Sequence, residues 1–207
     1  MFVNTAIKSL AVLTPIALAG CFDLTLNTCV NTEAPCVSTD QPAQPSTQKL
    51  IFVSSAETNG SFGGLVAADA ICQTLADTSL AGTPYEGQYI AWLSDSTTDA
   101  KDRTTQSTAA YVNFMGTVIA PDFNALITTF ANSPVDFDET GSAVVANLAW
   151  TGTLGDGTKS PLTCSDWTSA LPGDTGHAGA PEFPAYFWTS NANNPCNFSI
   201  RLYCVQQ

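Results

Sequence analysis

The sequence predicts an α+β fold: a mixed, mainly antiparallel sheet with two helices and long loops. Three observations predict it. Helical periodicity is confined to two stretches that end by residue 130. From Asp136 onward the chain breaks into short strand-like runs separated by Gly and Pro. It then closes on Cys196-Asn-Phe-Ser-Ile-Arg-Leu-Tyr-Cys204. A two-residue period puts Cys196, Phe198, Ile200, Leu202 and Cys204 on one apolar face of that nonapeptide. Asn197, Ser199, Arg201 and Tyr203 fall on the other, so a half-buried strand is expected, with a thiol for a disulfide at each end.

Composition bounds the function. The 207 residues suffice for one sizeable domain plus extensions, and an apolar fraction of 44% supports a core. Only 12% of residues are charged, about half the usual share. A net charge of −12 with six Lys and Arg excludes nucleic acid as a partner, because a phosphate backbone needs cations to neutralise it. The same balance argues against heparin-like polyanions and against electrostatic attachment to anionic lipid.

Residues 1–20 read as a signal peptide. The apolar run Leu10–Leu18 is too short to span a bilayer. It ends in Leu18-Ala19-Gly20-Cys21, which resembles the bacterial lipobox. That resemblance implies cleavage before Cys21 and acylation of the residue (palmitate among the chains), making the membrane a partner through a lipid anchor. Phe22 stands where Asp would signal inner-membrane retention, so the expected location is the bacterial outer membrane or cell surface. Several acyl chains hold far more firmly than one. With Cys21 set aside, six of the seven cysteines remain, an even number suited to an oxidising compartment and open to 15 pairings. Residues 21–48 form a lipidated flexible tether, in which Cys29 and Cys36 are most simply paired with each other and residues 41–48 are a spacer.

The folded domain is expected over residues 49–207. Leu50–Ser54 has strand character, and Asn59–Gly64 forms a loop. That loop either holds an anion or simply permits a tight start to the helix that follows. In Leu65–Ala76 the residues Leu65, Ala68, Cys72, Leu75 and Ala76 share a helical face, which turns Cys72 inward. Gln88–Ser94 alternates as a strand does. Residues 95–108 read as loop, with Asp95, Asp99 and Asp102 on a solvated face. Pro121-Asp122 opens a second helix, Phe123–Phe130. Ala149–Gly152 is a strand end, Gly155–Gly157 a turn, 170–184 a long Gly- and Pro-rich loop and Ala185–Thr189 a strand.

A Cys on the first helix, a second late in the chain, then Cys-x7-Cys resembles the C-type lectin-like fold. The closer likeness is to its endostatin branch. Ala67-Ala-Asp-Ala-Ile-Cys72, Tyr111-Val-Asn-Phe114 with Phe123-Asn-Ala-Leu126, Asp136-Phe-Asp138, Trp150-Thr-Gly152 and Cys164-Ser-Asp-Trp167 carry it in order. The resemblance implies the pairs Cys72–Cys204 and Cys164–Cys196. With the lipobox, the whole is similar to spirochaetal endostatin-like outer-surface lipoproteins, whose members bind complement regulators and extracellular-matrix proteins. The implied function is a non-catalytic binding or adhesion module for an extracellular protein or glycan. A calcium-dependent carbohydrate-binding lectin and a structural envelope component are the alternatives.

The remaining chemistry is sparse. His177 is the sole histidine and no Gly-x-Ser-x-Gly elbow exists, so an enzyme is not expected. His177 is expected to be a loop histidine in solvent. No cofactor and no metal are expected. The zinc-binding histidines and heparin-binding arginines of endostatins have no counterpart here. Asp136-x-Asp138-x-Thr140-Gly141 imitates the start of an EF-hand, but Asn147 stands at the twelfth position in place of Glu. The calcium motifs of sugar-binding lectins are absent. Four tryptophans (Trp92, Trp150, Trp167, Trp188) suit core or rim packing better than a sugar platform, which leaves Trp150, Trp188 and Asn193 as ligand-binding candidates.

Overall fold

A computed structural model describes residues 48–207 with the exception of Phe130 and Ala146. The expectations for the signal peptide, Cys21, Cys29, Cys36 and the tether lie outside the described residues. The strands are β1 (Gln48–Val53), β2 (Tyr89–Ala91), β3 (Ala110–Val112), β4 (Val118–Ala120), β5 (Ala149–Trp150), β6 (Thr175–Gly179), β7 (Ala192–Pro195) and β8 (Arg201–Gln206). Helices α1 (Gly64–Ser79), α2 (Ala100–Arg103) and α3 (Phe123–Thr128) join them, with a one-turn left-handed coil at Cys164–Trp167 and a 3-10 turn at Tyr186–Trp188. Strand order is β4-β3-β1-β8-β5-β6-β7, with β2 also bonded to β8. The pairs β1/β3 and β5/β8 are parallel and the others antiparallel. The fold is therefore α+β on a mixed, mainly antiparallel sheet.

β8 is the centre, and it corrects one expectation. Leu202 and Cys204 face a core with Leu50, Phe52, Cys72 and Trp150, while Tyr203 and Val205 face a second core with Ile51, Val53, Trp92 and Trp188. The strand is buried on both sides, so Tyr203 is enclosed and not solvent-facing. Burial of its phenol raises the Tyr203 pKa well above the ordinary value. The strand also starts later than the alternation implied. Phe198 N donates to Pro195 O in a turn, and the Phe198 ring is 49% exposed.

α1 presents Ala68, Cys72 and Ala76 to the sheet at four-residue spacing, small enough for close approach. The Cys72–Cys204 disulfide pins it to β8 with a Cα–Cα distance of 5.4 Å. A second disulfide, Cys164–Cys196, spans 5.6 Å between Cα atoms and ties the left-handed turn to the end of β7.

Three further expectations change. Residues 95–108 contain the single-turn α2. The long loop 170–184 contains β6, disguised by its sequence Thr-Gly-His-Ala-Gly. Those glycines answer to crowding. A Cβ on Gly176 would lie 2.6 Å from Cys164 Sγ and 2.7 Å from the Trp150 ring, and one on Gly179 only 1.8 Å from Trp188 O. Ala185–Thr189 is not a strand but leads into the 3-10 turn, closed by Thr189 N donating to Tyr186 O at 3.1 Å.

Candidate functional site

All four tryptophans are fully buried. Trp150 Nε1 donates to Thr58 O at 2.9 Å, Trp167 Nε1 to Ser94 O at 2.8 Å and Trp92 Nε1 to Thr189 Oγ1 at 2.7 Å. Trp188 packs edge-on against Tyr203 and tilted against Trp92, each at 5.3 Å between centroids. Trp150 and Trp188 therefore organise the core and offer no ring face to a ligand. Asn193 is exposed on β7.

Asn193 sits opposite His177 across the β6/β7 pair. His177 Nδ1 lies 2.6 Å from Asn193 Oδ1, and Nε2 lies 2.9 Å from Ser190 Oγ. An amide oxygen only accepts, so Nδ1–H donates to Asn193, and Nε2 shares a hydrogen bond with the Ser190 hydroxyl. His177 is thus a half-buried strand residue with both nitrogens bonded, not a loop histidine in solvent. The connectivity is that of a Ser-His-Asn array, but acyl transfer also needs donors aimed at a developing oxyanion. The neighbouring amides are committed elsewhere. Ser190 N and Thr189 N donate to Tyr186 O, and Asn191 N to Ala178 O. What the array does in this geometry is tie β6, β7 and the segment after the 3-10 turn together.

The segment from the end of β6 through that turn exposes three aromatic side chains. Phe183, Tyr186 and Phe187 are 49%, 43% and 40% exposed, and the Tyr186 and Phe187 rings lie 4.2 Å apart. Their neighbour Trp188 is enclosed, so one turn splits into an anchor and a displayed pair. The loop is braced by Phe183 N to Ala180 O, Ala180 N to Phe187 O, Val135 N to Pro181 O and Ala185 N to Ala131 O. Ala185 has φ 61 and ψ −150, a region essentially reserved for glycine. The surrounding bonds hold the backbone there against that cost.

A second strained element lies at the other end of β6. Cys164, Ser165, Asp166 and Trp167 all have positive φ, between 50 and 63. Left-handed helix costs about 1–2 kcal/mol per residue. The turn is held by the disulfide, by buried Trp167 stacked on Phe62 at 5.3 Å, and by the Asp166 carboxylate, which accepts from Ser96 N and Ser96 Oγ at 2.8 Å each. Beside it is an open cleft of about 440 Å³, lined in part by Thr163, Ser165, Asp166, Asp174 and Thr175.

The EF-hand-like stretch is built as a self-contained turn. Asp138 Oδ1 accepts from Thr140 N, Thr140 Oγ1 and Ser142 N, while buried Glu139 accepts from Ser55 N and Ser55 Oγ. Asp95-Ser-Thr97 and Asp156-Gly-Thr158 repeat the same device. Partial burial of Asp95 works against ionisation, but the Thr97 and Thr98 donors outweigh it and lower its pKa; Thr158 Oγ1 lowers that of Asp156. Asp99 is lowered chiefly by the Lys159 amide, helped by the Lys159 ammonium. Asp95 is thus engaged within its own turn and Asp99 with Lys159 across the fold. Among the described residues no group of three or more His, Cys, Asp or Glu could hold a metal ion, and no helix is long and apolar enough to cross a membrane.

Fold and site together define a disulfide-stapled α+β domain that displays an aromatic loop beside a buried core. The chain belongs to DUF1554, a family of proteins of unknown function whose model matches residues 55–182. No curated protein matches it. The matched span takes in α1, the left-handed turn and β6, and stops before Phe183, Tyr186 and Phe187. No sequence periodicity marked these three aromatics. Tyr186 and Phe187 fall in the stretch expected as a strand, and the signal available against it was Pro184 immediately before Ala185.

Proposed function

We propose that this protein is a lipid-anchored, surface-exposed, non-catalytic module that docks an extracellular protein through the loop carrying Phe183, Tyr186 and Phe187. The observation that carries the reading is the strained, braced loop that leaves three aromatic residues 40–49% exposed. Rigid aromatics displayed on a scaffold are the groups that supply most binding energy at protein interfaces. Burial of Trp150 and Trp188 removes the tryptophan platform a sugar would stack on. The Asp138 carboxylate, bonded into its own turn, is poorly placed to hold calcium. We read the domain as C-type lectin-like, of the endostatin-like kind. The pairs Cys72–Cys204 and Cys164–Cys196, first with last and middle with middle, support that reading. The lipobox at Cys21 supports anchoring at the outer membrane or cell surface.

Surface plasmon resonance of the full chain against purified extracellular-matrix proteins and complement regulators, with and without EDTA, tests it. Saturable binding that ignores EDTA is expected. Binding that requires calcium and is competed by free sugars would establish a lectin instead. Membrane extraction of Cys21→Ala tests the anchor, and a variant that stays membrane-bound contradicts it.

A further inference from the structure

The acidic balance of the chain, together with a loop free of Lys and Arg, specifies what the aromatic rings meet. Between Lys159 and Arg201 the chain contains no Lys or Arg; Glu182 stands beside Phe183 in the loop, and Asp166 and Asp174 lie at the cleft at the other end of β6. The same stretch supplies Leu171, Phe183, Tyr186, Phe187 and Phe198, half of the exposed large hydrophobics among the described residues. Four of the cations at and beyond its ends are engaged. Arg103 pairs with Asp69, Lys159 with Asp99 and Arg201 with Glu57, while Lys49 donates to Gln207 O. Beside the loop, Val135 N bonds Pro181 O, and the next residue, Asp136, keeps its Oδ1 buried without a hydrogen-bond partner.

We propose, resting on the docking function above, that the loop's partner is a basic protein segment whose Arg or Lys side chains lie against the Tyr186 and Phe187 rings. A ring face attracts a cation through its quadrupole, and a guanidinium also stacks flat upon it. The acidic field of the domain, with a whole-chain charge of −12, steers such a segment in and repels anionic competitors, phospholipid headgroups included. An uncharged ligand would gain from the rings but not from the field.

The test uses the full chain and three synthetic twelve-residue probes of matched sequence, rich in arginine, in citrulline (the neutral isostere) or in glutamate. Anionic phosphatidylglycerol vesicles are a fourth probe. Binding is read by fluorescence anisotropy or co-sedimentation at low and physiological salt. The arginine probe should bind at least about tenfold more tightly than the citrulline probe, weaken with salt, and lose about tenfold in affinity to Tyr186→Ala/Phe187→Ala. That variant changes no charge, so a loss cannot come from non-specific attraction. Phe183→Ser is a second exposed-site variant should the first disturb folding, which near-ultraviolet circular dichroism checks. Equal, loop-dependent binding of arginine and citrulline probes overturns the basic partner and leaves the docking function standing. Arginine binding indifferent to both variants overturns this use of the loop, and saturable vesicle binding makes the partner a membrane.

Discussion

Replacing Ala185 by Gly should make the domain more stable and its docking loop less effective. Ala185 occupies a backbone region that costs a residue with a Cβ about 1–3 kcal/mol. Gly removes that cost, and its greater freedom in the unfolded chain takes back about 0.5–1 kcal/mol. The bond from Ala185 N to Ala131 O is made by the backbone and survives the change. A net gain of roughly 0.5–2 kcal/mol follows, and a domain of this size moves its melting temperature by about 2–4 °C per kcal/mol. Urea unfolding reads the gain as a higher midpoint at unchanged slope. Binding should respond in the opposite direction, because a freer loop must be ordered when Tyr186 and Phe187 engage a partner. A lower or unchanged midpoint would refute the strain. Unchanged affinity would refute the pre-organisation.

Three other outcomes are expected. The disulfides close sequence separations of 132 and 32 residues, worth about 4–5 kcal/mol each in the chain-entropy model; strong reductant should lower the thermal melt sharply, and an unchanged melt contradicts this role. Gly179→Ala drives a Cβ into the Trp188 carbonyl and should lower the unfolding free energy read from urea titration by about 2–4 kcal/mol, with a correspondingly lower midpoint, or prevent folding, whereas Gly173→Ala, with nothing within 4 Å, should be neutral. Comparable midpoints for the two would remove crowding as the reason for the β6 glycines. Asp95, Asp99 and Asp156 have folded pKa values below the ordinary one, so their contribution is present above it and lost as pH falls below about 4; a urea midpoint that rises on acidification through that range goes against this sign.

Much of the fold was legible because it rests on local chemistry. α1 announced itself by the spacing of Ala68, Cys72 and Ala76, and β1 by an unbroken apolar run. β8 was legible as a strand but not as a central one. Alternation reports a half-buried strand, whereas Tyr203 is enclosed by Trp188 and the rest of the second core, which sequence distance hides. β6 was masked for a physical reason: Gly176 and Gly179 are there because a disulfide and a carbonyl occupy the space a side chain would need. The candidate site was the least legible part. Tryptophans attract attention as ligand platforms, yet Trp150 and Trp188 went to the core. Phe183, Tyr186 and Phe187 are displayed because Ala185 turns the chain in a conformation that no propensity for alanine foretells.

The most direct measurement of the central claim is hydrogen–deuterium exchange of the full chain, free and saturated with the tightest-binding matrix protein from the resonance panel. Docking through the aromatic loop predicts slowed exchange across residues 182–187, with β1 and α1 unchanged. Protection confined to the cleft at 161–175 or to β7, with 182–187 exchanging as in the free chain, would contradict it.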